Sequence, residues 1–396
     1  MVDIATLGAF AVAAVASLFM AWAIGAGSSG STPFAPAVGA NAISVMRAGF
    51  LVGLLGFSGA VLQGANVSEA VGTELIGGVT LSSTAATLAL LIAAVLVATG
   101  IFTGYPIATA FTVTGAVIGT GLAMGGDPAW AKYTEIASLW VLTPFVGGSI
   151  AYTVARALRA DAISEEHLVI VLAAIVGAIV ANIEFAILGS DTGGASVAQV
   201  AGTALPGPAV AGTAVATLVI ATIWAGAIAF DLGKGTERGE RHFLLVLGGL
   251  VAFSAGGSQV GLAIGPLIPL SNTLELPLLA MLVGGGFGLL LGSWTGAPRM
   301  IKAISQDYSS LGPRRSIAAL IPSFIIAQAA VFFGIPVSFN EIIVSAIIGS
   351  GYAAAGAGGG VSARKMGLTV LAWIGSLAGS ITVGYVGYTA VDALVL

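Results

Sequence analysis

The chain contains one stretch that occurs twice, GYPIATAFTVTGAVIGTG at residues 104–121 and GIPVSFNEIIVSAIIGSG at residues 334–351. Each copy begins with Gly-x-Pro and continues as an apolar segment with small residues at matching positions. Upstream of each copy, an apolar run ends in a segment rich in Gly and Ser, AIGAGSSGSTPFAP at 23–36 and AGGSQVGLAIGP at 255–266. The last Pro of the upstream segment precedes the Pro of Gly-x-Pro by 70 residues in both halves. This self-similarity predicts two halves that fold alike.

The composition assigns the chain to the membrane. Of its 396 residues, 57% are apolar and only 8% are charged, and the mean hydropathy is +1.06. A soluble domain carries roughly a quarter charged residues, so a soluble enzyme and a basic nucleic-acid-binding protein are excluded. The absence of Cys excludes a disulfide scaffold. The 58 Gly residues suit helices that approach closely in lipid. We therefore predict an all-α polytopic membrane protein whose surroundings are lipid.

Apolar runs of about 18 residues or more predict helices that cross the hydrocarbon core of a bilayer. We predict about twelve transmembrane segments, at residues 4–24, 42–65, 79–101, 107–124, 136–155, 168–189, 209–230, 243–262, 276–297, 316–333, 337–354 and 367–390. The runs on either side of each Gly-x-Pro are full spans or, alternatively, the arms of re-entrant hairpins. We expect broken or re-entrant helices at these two places.

The basic residues are distributed unevenly between the predicted loops. Twelve of the thirteen Lys and Arg residues belong to odd-numbered loops, and Lys132 is the exception. Basic residues accumulate in cytoplasmic loops. We therefore expect the odd-numbered loops in the cytoplasm, both termini outside the cell, and a multi-pass protein of the plasma membrane.

The two copies of the duplicated unit are predicted to cross the membrane in opposite directions. The first span corresponds to the eighth, and an odd offset of seven spans inverts the topology. We predict an N-terminal repeat of five spans (residues 1–160), an inserted helix pair with a cytoplasmic loop (161–240) and an inverted C-terminal repeat of five spans (241–396). Secondary transporters with such repeats bind their substrate between the repeats, where helices are interrupted by Gly or Pro.

These segments resemble the duplicated signature of the inorganic phosphate transporter (PiT) family, Gly-Ala-Asn-Asp-x-Ala-Asn-Ala with a later Pro-x-Ser-Thr-Thr-His. Residues 256–267 resemble the second copy, and LGPR at 311–314 is similar to a cytoplasmic turn of the family. The similarity covers roughly residues 15–160 and 240–390. The resemblance implies inverted repeats, external termini and ion-coupled uptake of phosphate.

The chain departs from the signature at the Asn-Asp pair, which is implicated in phosphate and sodium binding in the family. The first copy has Gly27, Ser28 and Ser29 there, and the second has Ser258 and Gln259. In this the chain is more similar to a sulfate-permease branch of the family. Phosphate carries a proton near neutral pH and profits from a carboxylate acceptor, whereas sulfate is best held by donors alone. We therefore expect sulfate to be preferred over phosphate.

We predict that the oxyanion is bound between the two glycine motifs. If a helix begins after each glycine run, its N-terminal N–H groups add about half a positive charge. The residues expected to bind the substrate are Gly27, Ser28, Ser29, Gly30, Ser31, Thr32, Thr109, Gly257, Ser258, Gln259, Ser338 and Asn340. Close packing of helices is the alternative role for such small residues.

Glu341 occupies the family's His position in the second Gly-x-Pro segment. An intramembrane carboxylate at this place is our candidate for ion coupling, with Na⁺ or H⁺ as the coupling ion. We expect a transporter and not an enzyme, without a cofactor, and with no metal site unless it is one for sodium. A passive anion channel is the alternative of another class, and pairing into a homodimer is left open.

Overall fold

The computed structural model of the chain describes residues 4–160, 164–189, 194–353 and 361–395, which are mostly helical. The helices are α1 (Ile4–Gly27), α2 (Ala35–Gly39), α3 (Val45–Gln63), α4 (Ala65–Thr73), α5 (Ser83–Thr103), α6 (Thr109–Ala123), α7 (Trp130–Ala157), α8 (Glu165–Ala181), α9 (Val197–Thr203), α10 (Ala209–Leu232), α11 (Thr236–Ile264), α12 (Ile268–Thr273), α13 (Leu278–Thr295), α14 (Ala297–Asp307), α15 (Pro313–Phe332), α16 (Phe339–Tyr352) and α17 (Ala363–Val395). Two antiparallel pairs of two-residue strands accompany them, β1 (Ile76–Gly77) with β2 (Asp127–Pro128) and β3 (Glu184–Phe185) with β4 (Ala195–Ser196).

Nine of the described helices are long and apolar enough to cross a membrane. They are α1, α3, α5, α7, α10, α11 with its extension through α12, α13, α15 and α17. The other three predicted spans coincide with shorter helices, α6 with 15 residues, α8 with 17 and α16 with 14. The fold is therefore that of a polytopic helical membrane protein, and the number of twelve complete crossings stays a prediction.

The sixth predicted span is too long at its C-terminal end. It was expected to run to residue 189, but α8 ends at Ala181 and the chain continues through β3 into a short 3₁₀ helix at Ala186–Leu188. The side chain of Asn182 donates back to the Ala178 carbonyl oxygen at 2.8 Å. An Asn side chain competes with the backbone in this way and favours the end of a helix. The hydropathy of the sequence alone did not indicate that the helix ends at Ala181.

The helices of the two halves contact one another in a reciprocal pattern. In the first half α1 packs on α5 and also on α13 of the second half; α11 packs on α15 and also on α3 of the first. Likewise α17 packs on α6, and α7 packs on α16. Helices α8 and α10, which form the predicted inserted pair, pack on each other and contact α11. The predicted boundary at residue 161 lies outside the described residues, and the division into three parts stays a prediction.

Glycines at the crossings between halves let helix backbones meet directly. A Cβ atom added at Gly256 of α11 would lie 1.8 Å from the carbonyl oxygen of Gly56 in α3. One added at Gly25 of α1 would lie 2.1 Å from the carbonyl oxygen of Leu289 in α13. Since no side chain fits there, these crossings depend on Gly, which accounts for part of the glycine content.

We expect the substitution Gly256→Ala to destabilise the fold by about 1–3 kcal/mol, because the added methyl group forces α11 and α3 apart. Gly284→Ala in α13 is the matched control, since no atom lies within 4 Å of the added Cβ, and Ala improves helix propensity there. Thermal unfolding of the purified variants in detergent measures the difference. Equal melting temperatures for the two variants would show that this crossing tolerates a side chain.

Candidate functional site

Gln259 joins three segments that are far apart in the sequence. Its Oε1 atom accepts hydrogen bonds from the hydroxyls of Thr109, at 2.7 Å, and Ser28, at 3.2 Å. Its Nε2 atom donates to the carbonyl oxygen of Val337 at 2.6 Å. Ser28 directly follows α1, Thr109 is the first residue of α6, and Gln259 lies near the end of α11. All four residues are fully buried, so the two glycine motifs and both Gly-x-Pro segments meet inside the protein.

Asn340 makes a second connection between the same segments. Its Nδ2 atom donates to the carbonyl oxygens of Gly27, at 2.9 Å, and Ile107, at 2.6 Å. Asn340 lies in the first turn of α16, and Ile107 precedes the start of α6. The side chain therefore joins the second Gly-x-Pro segment to the first one and to the end of α1.

Most of the buried oxygen atoms without a hydrogen-bond partner belong to residues of the second glycine motif and the second Gly-x-Pro segment. The described residues contain six such side-chain atoms, and four of them are Ser258 Oγ, Ser338 Oγ, Asn340 Oδ1 and Glu341 Oε2. Leaving a buried polar atom unpaired costs about 1–3 kcal/mol, so native proteins keep few of them. All four residues are among those selected from the sequence, and their free acceptors suit a polar ligand or a cation.

No helix begins directly after either glycine run, so the condition for a helix N-terminus at these motifs is not met. The first motif lies at the C-terminal end of α1, where the N–H groups of Ser28 and Ser29 bond back to the Ile24 carbonyl oxygen. The second motif lies inside the continuous helix α11, whose backbone N–H groups bond within the helix. Gly lowers helix propensity by about 1 kcal/mol, which does not end a long apolar helix in lipid, where unpaired backbone groups cost more.

The helix starts at this site belong to α6 and α16 and follow the two Gly-x-Pro segments. Neither Ala108 nor Ser338 caps its helix with a side-chain hydrogen bond. The first N–H groups of a helix lack partners inside the helix, and those of α6 and α16 start among fully buried residues. The positive ends of two helix dipoles thus adjoin the Gln259 network without any Lys or Arg. The sequence signal was the Pro, because the residue before Pro disfavours helix.

Two tryptophans that we did not select from the sequence secure these turns. The Nε1 atom of Trp140 in α7 donates to the Pro336 carbonyl oxygen at 2.9 Å. The Nε1 atom of Trp373 in α17 donates to the Pro106 carbonyl oxygen at 2.8 Å. Each Trp therefore bonds the Gly-x-Pro turn of the other half. The signal available in the sequence was that each Trp lies in the last span of its predicted repeat.

The remaining selected residues have local contacts. The hydroxyls of Ser31 and Thr32 both donate to the Ser28 carbonyl oxygen, at 3.2 and 3.0 Å, and Ser29 is buried beside Ser28. The glycines lie where space is short. An added Cβ would lie 2.9 Å from Ile101 at Gly27, 1.9 Å from the Gly25 carbonyl oxygen at Gly30 and 2.8 Å from the Gln63 side chain at Gly257. Their close contacts agree with the packing role, and a role in substrate binding stays a prediction.

Glu341 lines a cavity that is formed by other residues than those of the Gln259 network. It is 2% exposed and lines a cavity of about 780 Å³ between α6, α7, α16 and α17. Phe111, Trp140 and Trp373 line the same cavity. Glu341 directly follows Asn340 in α16, but the lining of this cavity includes none of Ser28, Thr109, Gln259 and Asn340.

Comparisons with known proteins place the chain among transporters. A family model described as Phosphate transporter family matches residues 24–384. A putative phosphate permease of Thermococcus kodakarensis is 25% identical over 370 residues, which cover 84% of this chain and 86% of that protein. The chloroplastic inorganic phosphate transporter 2-1 of Arabidopsis thaliana is 26% identical over 401 residues, covering 85% and 64%. A solved structure described as the sodium-dependent phosphate transporter has a similar fold, with a TM-score of 0.78 over 98% of this chain and 100% of that one, at 22% identity.

The two Trp bonds lead to a reciprocal prediction. Trp140→Phe removes one buried hydrogen bond from the turn at Pro336, so we expect amide hydrogen exchange there to rise about fivefold, with the turn at Pro106 unchanged. Trp373→Phe is expected to do the reverse. Trp294→Phe is the control, because its Nε1 atom donates to the Phe50 carbonyl oxygen, outside both turns. Mass spectrometry of exchanged peptides measures the effect; an identical pattern in the first two variants would contradict it.

Proposed function

Since this chain belongs to the phosphate transporter family, we propose that it imports inorganic phosphate by alternating access, with sodium as the coupling ion. The observation that carries the proposal is the buried meeting point of both glycine motifs with the first turns of α6 and α16. A tetrahedral oxyanion suits this place, because hydroxyl, amide and helix N-terminal N–H groups surround it. In this proposal the hydroxyls of Ser28 and Thr109, which now donate hydrogen bonds to Gln259, donate to the substrate instead.

Phosphate replaces sulfate as the preferred substrate. The relatives named above are phosphate permeases and transporters, and a sulfate-permease branch finds no support among them. The expectation of sulfate rested on the missing aspartates, as though the site held donors alone. Buried acceptors are present nevertheless: the free oxygen atoms of Ser258, Ser338 and Asn340. Any of them is able to accept a hydrogen bond from the P–OH group that phosphate carries near neutral pH.

The charge of the site favours coupling to a cation. None of the side chains in the Gln259 and Asn340 connections is basic. Two helix dipoles supply only about one positive charge between them. An anion that crosses a low-dielectric interior needs further compensation, and a co-transported Na⁺ supplies it. Hydroxyl, amide and carbonyl oxygen atoms are suitable ligands for such a hard cation. The sodium dependence of the similar solved structure agrees with this choice.

Alternating access fits the reciprocal packing of the halves. The residues of the network are buried, so in this proposal a substrate reaches them only when the surrounding helices move. The matched contacts of α1 with α13 and of α3 with α11 are those expected of inverted repeats that rock around a central site. The distribution of basic residues favours a protein of the plasma membrane with both termini outside. In that orientation the odd-numbered loops face the cytoplasm.

We expect purified protein in liposomes to accumulate labelled phosphate when an inward sodium gradient is imposed. Potassium in place of sodium is expected to abolish accumulation, and a tenfold excess of sulfate to leave it nearly unchanged, because the site supplies acceptors for the phosphate proton. The measurement is initial uptake under each gradient, with empty liposomes as the control.

Three other results would each contradict a named part of the proposal. Accumulation driven by a pH gradient without sodium would favour proton coupling, for which Glu341 is the candidate. Movement only down the phosphate gradient would favour a passive anion channel. Accumulation of sulfate with exclusion of phosphate would restore the expectation drawn from the missing aspartates.

A matched pair of serines tests the location of the site. Ser28→Ala removes a hydroxyl from the Gln259 network, and we expect the KM for phosphate to rise about tenfold, as for loss of a hydrogen bond to a charged group. Ser323→Ala is the control, because its hydroxyl is equally buried but donates at 2.7 Å to the Ala319 carbonyl oxygen of its own helix. Equal KM values for both variants would place the site elsewhere.

A further inference from the structure

A large apolar cavity lies apart from the proposed phosphate site. It has a volume of about 780 Å³ and is bordered by α6, α7, α16 and α17. Its lining is dominated by aromatic and aliphatic side chains, among them Phe111, Trp140 and Trp373. The aromatic surface is continuous, because the rings of Phe111 and Trp140 are stacked with their centroids 3.9 Å apart. The shape and lining are those of a site for a bulky apolar ligand.

One carboxylate interrupts this apolar lining. Glu341 is 2% exposed, and its Oε2 atom has no hydrogen-bond partner. Among the described residues that line the cavity, no other carries a carboxylate, and none is Lys, Arg or His. Arg156, next to the cavity residue Tyr152, is bonded to the hydroxyl of Tyr152 at 3.2 Å and is exposed. The interior of the cavity therefore carries a single negative group at most, with no cationic side chain opposite it.

The cavity opens toward the lipid-facing surface. Val141 and Phe145 of α7 are 62% and 69% exposed, Ile374 of α17 is 59% exposed, and all three line the cavity. Because α7 and α17 are long enough to cross a membrane, we expect these apolar side chains to adjoin the acyl chains of the bilayer. A ligand that dissolves in the membrane thus reaches the cavity without crossing water.

We propose that this cavity binds a lipophilic monocation drawn from the bilayer, with Glu341 as its counter-ion. The aromatic faces of Trp140 and Trp373 attract a positive charge through their quadrupoles. The Glu341 carboxylate supplies the opposite charge in a low-dielectric place, where an ion pair is far stronger than in water. An acyl chain would fill the volume but would leave Oε2 unpaired. This inference does not rest on the proposed phosphate transport.

Two ions of matched size and opposite charge test the proposal. Tetraphenylphosphonium and tetraphenylborate each carry four phenyl groups, so a purely apolar cavity would bind both. We expect the purified protein in neutral detergent to bind tetraphenylphosphonium saturably and tetraphenylborate at least about tenfold more weakly. Equilibrium dialysis against protein-free micelles measures both affinities.

Substitutions then locate the binding. Glu341→Gln is expected to weaken tetraphenylphosphonium binding about tenfold, whereas Glu341→Asp, which keeps the charge, retains it within about threefold. Glu184→Gln is the control, because Glu184 lines a separate cavity beside Gln63 and Asn182. Melting temperatures verify that each variant is folded.

Equal binding of the two ions, or unchanged binding in Glu341→Gln, would overturn the proposal. Loss of binding in Glu184→Gln but not in Glu341→Gln would overturn it as well, by assigning the cation to the other cavity. Phosphate uptake is not the readout, so failure of the transport proposal and failure of this one are distinguishable.

Discussion

The fold depends on satisfying the backbone at two breaks inside a helical membrane protein. Where a chain leaves its helix in an apolar interior, each freed carbonyl group needs a donor. At the first break Trp373 bonds the Pro106 carbonyl oxygen and Asn340 bonds that of Ile107. At the second break the two corresponding carbonyl oxygens belong to Pro336 and Val337. Trp140 bonds the first of them and Gln259 the second. Three of the four donors come from the opposite half, so neither break is satisfied unless the halves are joined.

The same constraint explains how the proposed site would attract an anion without basic residues. At a break, the freed carbonyl groups accept hydrogen bonds from side-chain donors. The helix that follows begins with N–H groups that have no carbonyl partners within the helix. The breaks before α6 and α16 bring two such helix starts to the Gln259 network. Proline sets both breaks, since it removes a donor and disfavours helix in the residue before it. The structural requirement and the electrostatics of the proposed site therefore have one cause.

Much of the site was predictable because duplication marked it. The repeated Gly-x-Pro and Gly/Ser segments selected Ser28, Thr109, Gln259 and Asn340, and the structure brings these together. The condition of a helix start after each glycine run is not met, because the low helix propensity of glycine is a local effect that lipid overrides. Trp140 was missed for a different reason: its donor role depends on contact with a turn almost 200 residues away, which no local pattern encodes. The similarity to phosphate transporters favours phosphate over the expected sulfate, and the free buried acceptors show that absent aspartates do not imply absent acceptors.

The two halves are not identical at their meeting point, and the difference gives the second cavity its chemistry. Phe111 and Glu341 occupy the same position, five residues after the Pro of their respective Gly-x-Pro segments. In the first half the phenyl ring at this position stacks on Trp140 and forms part of the apolar lining of the cavity. In the second half a carboxylate stands at that position and borders the same cavity. Burying a carboxylate without a partner is costly, and close packing does not require it. The proposed cation, which enters the cavity from outside the protein, would supply the partner that the Glu341 carboxylate lacks.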